Sequence, residues 1–357
     1  MQIGLIGFPQ SGKKTLLRLL TGVDAATLPS ANGGAVPGVC PVRDPRVDRL
    51  ASMYRPKKLT PATIEYLLMA DLTKDSAKNQ ELFKALERVD VLGVVVRAFQ
   101  DDAVFHLEGS VDPRRDLQAI LAELLLNDLL FVEKRLERIA KEQGRRGGVD
   151  RSHEQAMFTA LNAHLDSNQP LRTMPLQADA VKRLAGASLL TRKPLLVILN
   201  VGEEELATHR LVTDMAQRDA AWQMHCVEVS AKIEEELSQL DDPGDRAAFL
   251  KELGLAESAI DRLTRISYAA LGLISYFTVG EDEVRAWTIR RGASAPEAGG
   301  AIHSDIARGF IRAELIKYED LLSLGSEQAV AQAGKAHLKG KEYIVEDGDI
   351  LNFRFSV

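Results

Sequence analysis

The sequence predicts an α/β fold: a mostly parallel sheet flanked by helices, interrupted by an inserted helical hairpin and followed by a small α+β domain. Three observations carry this reading. Short, β-rich apolar runs alternate with helical stretches through residues 1–99, as parallel strands buried on both faces do. A breaker-free stretch with leucines at heptad spacing then breaks that rhythm. The α/β alternation resumes afterwards, and from about Leu273 the chain turns strand-rich again.

The elements follow in order. Gln2-Ile3-Gly4-Leu5-Ile6 reads as a buried first strand, and Leu16, Leu17, Leu19 and Leu20 as one side of a helix that stops near Gly22. Thr63-Ile64-Glu65-Tyr66-Leu67-Leu68 and Val91-Leu92-Gly93-Val94-Val95-Val96 read as two more strands. Between them residues 79–89 form an amphipathic helix with Leu82, Phe83 and Leu86 inward. Asp112-Pro113 is a helix start, after which residues 117–141 run without a breaker. Leu125, Leu129, Val132, Leu136 and Ile139 then mark a coiled-coil seam. Gly144-Arg145-Arg146-Gly147-Gly148 is the turn, and residues 151–166 return. Lys134, Arg135, Arg138, Lys141, Arg145 and Arg146 gather towards that turn, either as a solvated helix face or as a contact for RNA or a partner. Pro194-Leu195-Leu196-Val197-Ile198-Leu199-Asn200 and Val227-Glu228-Val229-Ser230 are further buried strands. Asp347-Gly348-Asp349, between Tyr343-Ile344-Val345 and Ile350-Leu351-Asn352-Phe353-Arg354-Phe355, predicts a β-hairpin.

Composition narrows the function. The chain has 357 residues, and its formal charge of −6 offers no global basic footprint, so any nucleic-acid contact must be local. Cys40 and Cys226 make neither a disulfide framework nor a zinc site and fit a reducing cytosol. No apolar run approaches bilayer length and the first strand leaves no room for a cleavable signal, so a cytoplasmic protein with no membrane contact is expected.

The chemistry lies in residues 7–15. Gly7, Gly12 and Lys13 match the phosphate-binding loop pattern G-x-x-x-x-G-K-[ST] between a strand and a helix. There Pro9, Gln10, Ser11 and the residues up to Thr15 would cradle a pyrophosphate with backbone N–H groups and the helix N-terminus. The next position should supply a hydroxyl to Mg²⁺, and Lys14 stands there. Downstream, Asn200-Val201-Gly202-Glu203 ends a buried strand where GTPases of the Ras type carry N-K-x-D, and Ser230-Ala231-Lys232 matches their S-A-K loop. Each is common alone; three in the right order are not.

With these pieces the chain strongly resembles the YchF family of Obg-like ATPases over nearly its whole length. The supporting stretches are His106-Leu107-Glu108-Gly109-Ser110-Val111-Asp112-Pro113, Lys134-Arg135-Leu136-Glu137-Arg138 and Asn200-Val201-Gly202-Glu203. The most specific lie near the C-terminus, at Tyr276-Phe277-Thr278-Val279-Gly280, Glu283-Val284-Arg285-Ala286-Trp287-Thr288-Ile289 and Ile302-His303-Ser304-Asp305. They continue with Arg308-Gly309-Phe310-Ile311-Arg312-Ala313-Glu314 and Asp347-Gly348-Asp349. The resemblance implies a P-loop G domain (1–111 and 192–272), a coiled-coil insert (112–191) and a β-grasp TGS domain (273–357). It further implies ATP or ADP as ligand, with GTP and GDP as alternatives, and ribosome association through the coiled-coil tip and the TGS domain of a monomer.

The departures from the family pattern concentrate at one spot. Lys14 replaces the metal's serine. The family's D-x-x-G aligns with Leu68-Met69-Ala70-Asp71, so the metal-side Asp is Leu68 and the Gly that meets the γ-phosphate is Asp71. Residues 72–80 replace a glycine-rich switch, and Ser30-Ala31-Asn32-Gly33-Gly34 holds no clear counterpart of the switch-one Thr. Mg²⁺ is therefore doubtful and no metal ligand is assigned. Asp71 should disfavour a triphosphate relative to a diphosphate unless Lys14 neutralises it. Lys14 either offsets phosphate charge or points to solvent; in the first helical turn it opposes the helix dipole at about 0.3–1 kcal/mol. His106 is a candidate acid–base group, against a structural role. Three functions compete: a nucleotide-binding protein with weak or absent hydrolysis, an ATPase or GTPase with a rearranged metal or switch site, and a nucleotide-free scaffold. Retention of Gly7, Gly12, Lys13, Asn200 and Ser230 with loss of the switch-two Asp favours the first.

Overall fold

In the computed structural model, residues 1–23, 35–143, 151–218 and 220–356 are described. Ser30 to Gly34, where no clear switch-one Thr is read, and the hairpin turn with Arg145 and Arg146 lie outside them. The chain divides into two compact units, one of residues Met1–Gly38 and Glu65–Leu263, the other of Val39–Ile64 and Thr264–Val357.

The strands of the first sheet are β1 (Gln2–Ile6), β2 (Val36–Pro41), β4 (Thr63–Leu68), β5 (Val91–Arg97), β6 (Leu195–Asn200) and β7 (Met224–Val229). Their order is β2-β4-β1-β5-β6-β7. The pairings of β1 with β4 and β5, of β5 with β6 and of β6 with β7 are parallel. β5 and β6 are buried at every position, which explains their unbroken apolar reading. Helices α1 (Lys13–Thr21) and α3 (Gln80–Leu86) belong to the first unit and α2 (Pro45–Tyr54) to the second, and α3 buries Leu82, Phe83 and Leu86 as its spacing predicts. Gly22 ends α1 in the left-handed conformation, its N–H closing on the Arg18 carbonyl.

The insert is a helical hairpin. α4 (Pro113–Gln143) starts where the Asp112 carboxylate accepts from Arg114 N and Arg115 N, and α5 (Ser152–Asp166) returns. The heptad seam packs as its spacing predicts. Leu125, Val132 and Ile139 are buried in one cluster with Phe158, Leu161 and Leu165 of α5, and Leu129 and Leu136 pack against it. Asp128 interrupts that apolar stripe and is itself fully buried. Its carboxylate accepts from Leu190 N (2.9 Å), Thr191 N (2.7 Å) and Thr191 Oγ1 (2.6 Å), tying α4 to the segment that leads into β6. Burial pushes the Asp128 carboxyl pKa up, and those hydrogen bonds oppose it.

The first unit continues with α6 (Ala178–Arg183), α7 (Glu203–Thr208), α8 (Arg210–Arg218), α9 (Ala231–Ser238) and α10 (Pro243–Glu252). α11 (Ala259–Ala270) leads out of it.

The second unit holds a mixed sheet, β11-β10-β12-β8-β9-β3. Its strands are β3 (Lys58–Thr60), β8 (Leu273–Thr278), β9 (Glu283–Arg290), β10 (Phe310–Lys317), β11 (His337–Lys339) and β12 (Asp349–Phe355). β3 pairs parallel to β9, so one edge strand comes from far upstream in the chain. The hairpin read at Asp347-Gly348 is not formed. Ile344 makes one isolated bridge to Ser294, and β12 pairs instead with β10 and β8. The turn is held by contacts from elsewhere: Asp347 accepts from Ser275 N (2.9 Å) and pairs with Arg46 (2.9 Å), and Gly348 N donates to Ser275 O. Asp349, fully buried, accepts from Tyr343 OH, Glu346 N and Lys317 Nζ. These bonds hold residues 343–346 off β12 and override the local turn preference.

Candidate functional site

The phosphate loop sits at the end of β1 and opens α1. Gly7 has φ +153°, and a Cβ there would stand 2.3 Å from the Val95 carbonyl oxygen of the neighbouring strand. Gly12, with φ +94°, is the N-cap of α1, so no side chain caps that helix. A Cβ on Gly12 would stand 2.2 Å from Asn200 Nδ2. Both glycines therefore answer to close backbone approach as well as to conformation.

Asn200 is the joint. It ends β6, is 6% exposed, and donates through Nδ2 to the Ser11 carbonyl (3.1 Å) while its Oδ1 accepts from Ala231 N (3.2 Å). One side chain thus ties the phosphate loop to the start of α9. Ser230, buried, is the N-cap of α9, its Oγ accepting from Ile233 N. Val201 is buried, Lys232 and Glu203 are exposed, and Glu203 is the first residue of α7. Ser11, Gly12, Asn200, Ser230 and Ala231 are thus brought together. Glu203 instead lines a separate cavity of about 430 Å³ with Leu206, Ile233 and Leu253.

A cavity of about 520 Å³ opens over the loop, lined by Pro9, Gln10, Ser11, Gly12, Lys13, Lys14 and Thr15, by Leu68 at the end of β4 and by Met69 and Asp71 after it. Lys13 is 4% exposed. Its ammonium donates to Gly7 O (2.9 Å), Phe8 O (2.6 Å) and Ser11 Oγ (3.3 Å) and pairs with Asp71 Oδ1 at 2.8 Å. Burial pushes the Lys13 pKa down, and the Asp71 carboxylate opposes that shift. The residues do not fit Mg²⁺ as the family pattern holds it. Exposed Lys14 stands where the metal's hydroxyl ligand belongs, and the buried alkyl group of Leu68 where its carboxylate belongs.

The segment carrying Asp71 is tied down by its own backbone and by Asn79. Met69 N donates to Leu5 O and Leu72 N to Gly7 O, both at 3.1 Å. Buried Asn79 makes a pair of hydrogen bonds with the Thr73 backbone, accepting from its N–H and donating to its carbonyl, each at 3.0 Å. An Asn just ahead of a helix reads locally as a cap, and that reading hides the clamp. His106 sits in the loop after β5 with both ring nitrogens engaged: Nδ1 accepts from Glu108 N (3.1 Å), so Nε2 carries the proton to Asp116 Oδ2 (2.9 Å). That geometry fastens the loop to α4.

On the insert, Lys134, Arg135, Arg138 and Arg183 line a groove of about 620 Å³ floored by Phe131, Met157 and Phe158. Arg135 is paired with Glu154, whereas Lys134 and Arg138 have no ion-pair partner among the described residues. No helix among those residues is long and apolar enough to cross a membrane.

A strand, a glycine-bounded loop, a helix and an Asn brace on a parallel sheet define a P-loop protein of the α/β class. Comparison with known proteins narrows this. The ribosome-binding ATPase YchF of Bacillus subtilis (strain 168) is 39% identical over 99% of both chains. That of Escherichia coli O157:H7 is 37% identical over 99% of both, and the Obg-like ATPase 1 of rice is 34% identical, covering all of this chain and 92% of its own. The solved structure of the Schizosaccharomyces pombe YchF GTPase superposes with a TM-score of 0.85 at 32% identity, covering 99% of this chain and 97% of that one. The family model YchF-GTPase_C, described as a protein of unknown function (DUF933), matches residues 273–356. The chain belongs to the YchF family of Obg-like ATPases, with its parallel-rich G-domain sheet, helical insert and C-terminal TGS-like sheet.

Proposed function

We propose that the chain is a nucleotide-binding protein of the YchF type with weak or absent Mg²⁺-dependent hydrolysis. The observation that supports it is the Asn200 joint: Gly12, Ser11 and Ala231 are held as nucleotide binding needs, while Lys14 and Leu68 replace the oxygen ligands of the metal. Nucleotide contacts are assigned to Gly7, the residues from Pro9 to Thr15, Asn200, Val201, Glu203, and the Ser230-Ala231-Lys232 turn. Adenine is the base we assign. The relatives are ATPases by name, and that supports the assignment; Glu203 itself lines the separate cavity with Leu206 and Ile233.

Thermal shifts with ADP, ATP, GDP and GTP, each with Mg²⁺ and with EDTA, test the reading. A nucleotide at a hundredfold its Kd adds about 2.7 kcal/mol, and the rise in Tm is expected to be nearly equal in EDTA. A rise seen only with Mg²⁺ refutes the metal-free reading.

The relatives are ribosome-binding proteins by name, and we extend that role to this chain, as a monomer in the cytoplasm. The groove on the insert supports the RNA contact: Lys134 and Arg138, which have no ion-pair partner among the described residues, suit phosphates, and half-buried Phe131 beside them offers apolar surface to a base. The TGS domain is the second contact proposed.

A further inference from the structure

The Lys13 ammonium has three N–H bonds and four acceptors around it: Gly7 O, Phe8 O, Ser11 Oγ and Asp71 Oδ1. In a phosphate loop this lysine reaches the β- and γ-phosphates, and here a carboxylate of the chain already stands beside it. Asp71 is held there from both sides. Two residues before it Met69 N bonds to Leu5 O, and one residue after it Leu72 N bonds to Gly7 O, a carbonyl that Lys13 also uses. Leu72 is buried in the core with Leu82 and Phe83, and the Asn79 clamp closes the segment behind it. These bonds fix the backbone that carries Asp71, and the ion pair at 2.8 Å holds its half-exposed carboxylate on Lys13. A terminal β-phosphate can be held by the loop backbone and share Lys13 with the carboxylate. A γ-phosphate would meet the carboxylate itself, and the positions that hold a divalent cation between such anions are Lys14 and Leu68.

We infer that Asp71 is a built-in anion occupying the γ-phosphate's place on Lys13, so that the site takes a nucleoside diphosphate in preference to a triphosphate. This rests on the nucleotide-binding reading above. Asp71 is thereby a specificity-determining residue, and the segment around it does not answer to a γ-phosphate.

The test is isothermal titration of the full chain with ADP and ATP in EDTA, for the unaltered protein and for Asp71→Asn, Asp71→Gly and Lys13→Ala. ADP is expected to bind at least about tenfold tighter than ATP, a free-energy gap of about 1.4 kcal/mol. Asp71→Asn and Asp71→Gly should bring the two within about threefold of each other, on the same scale, chiefly by tightening ATP. Lys13→Ala should weaken both. ATP binding as tightly as ADP to the unaltered chain overturns the inference, as does an unchanged ratio in both Asp71 variants. No binding of either nucleotide to any of the chains overturns the nucleotide-binding reading itself, a different failure.

Discussion

Replacing Asn200 by alanine isolates the joint on which the site depends. The substitution deletes the donor to Ser11 O and the acceptor for Ala231 N, both on buried residues. A buried polar group left unsatisfied costs about 1–3 kcal/mol, so two such groups give a loss of about 2–4 kcal/mol if one is partly rehydrated. For a unit of this size, about 2–4 °C of Tm accompanies each kcal/mol, so the midpoint should fall by roughly 10 °C. The stabilisation by ADP should vanish with it. Gly12→Ala attacks the same joint from the other side, because its Cβ would meet Asn200 Nδ2 at 2.2 Å and its φ is +94°. In the Asn200→Ala background that clash is gone, and only the left-handed strain of about 1–2 kcal/mol remains. The two changes should therefore combine to less than their sum, a coupling read from a double-mutant cycle followed by circular dichroism. Strict additivity, or an Asn200→Ala chain that melts within about 2 °C of the parent (less than 1 kcal/mol at this size) and still responds to ADP, refutes the bracing role.

Steady-state hydrolysis of ATP and GTP by the isolated chain should stay near background, because positioning and metal-borne charge neutralisation supply most phosphoryl-transfer catalysis. Turnover at an ordinary enzymatic rate that Lys13→Ala abolishes would show the alternative, an active hydrolase, to be right. Asp128→Ala should destabilise the first unit by about 3 kcal/mol, since it strands Leu190 N and Thr191 N in the interior; a midpoint unchanged in urea contradicts this. ADP should bind at least as tightly as GDP in titration calorimetry, and a preference for GDP of about tenfold or more, 1.4 kcal/mol, removes the adenine assignment.

What the chain's order reveals depends on how local the cause is. β1, β5 and β6 are legible because each is buried on both faces and needs no partner to explain its composition. The α4–α5 seam is legible because its heptad spacing is set within one helix. Asn200 could be placed because it ends such a strand, although its bonds to Ser11 and Ala231 span the sheet. Lys58–Thr60 could not be read as a strand: its partner in β9 lies far along the chain, and parallel pairing leaves no mark on three residues. Asp347-Gly348 misled for a related reason. Its turn chemistry is real, but Arg46 and Ser275 decide where the chain goes next.

The same distinction explains the altered loop. Lys14, Leu68 and Asp71 look like three separate losses in sequence, but the fold places all three around one cavity. In the family pattern the charge facing the phosphates comes from a divalent cation, its Asp and the loop lysine. Here the cation's positions are an ammonium and an alkyl group, and a carboxylate has moved onto Lys13 at 2.8 Å. Two lysines and one aspartate leave the cavity one positive unit poorer than the metal-bearing pattern. One unit is also the formal difference between a triphosphate and a diphosphate ligand. On the proposed reading, Lys14, Leu68 and Asp71 share one cavity and one charge difference, and together they set which phosphate chain the site takes.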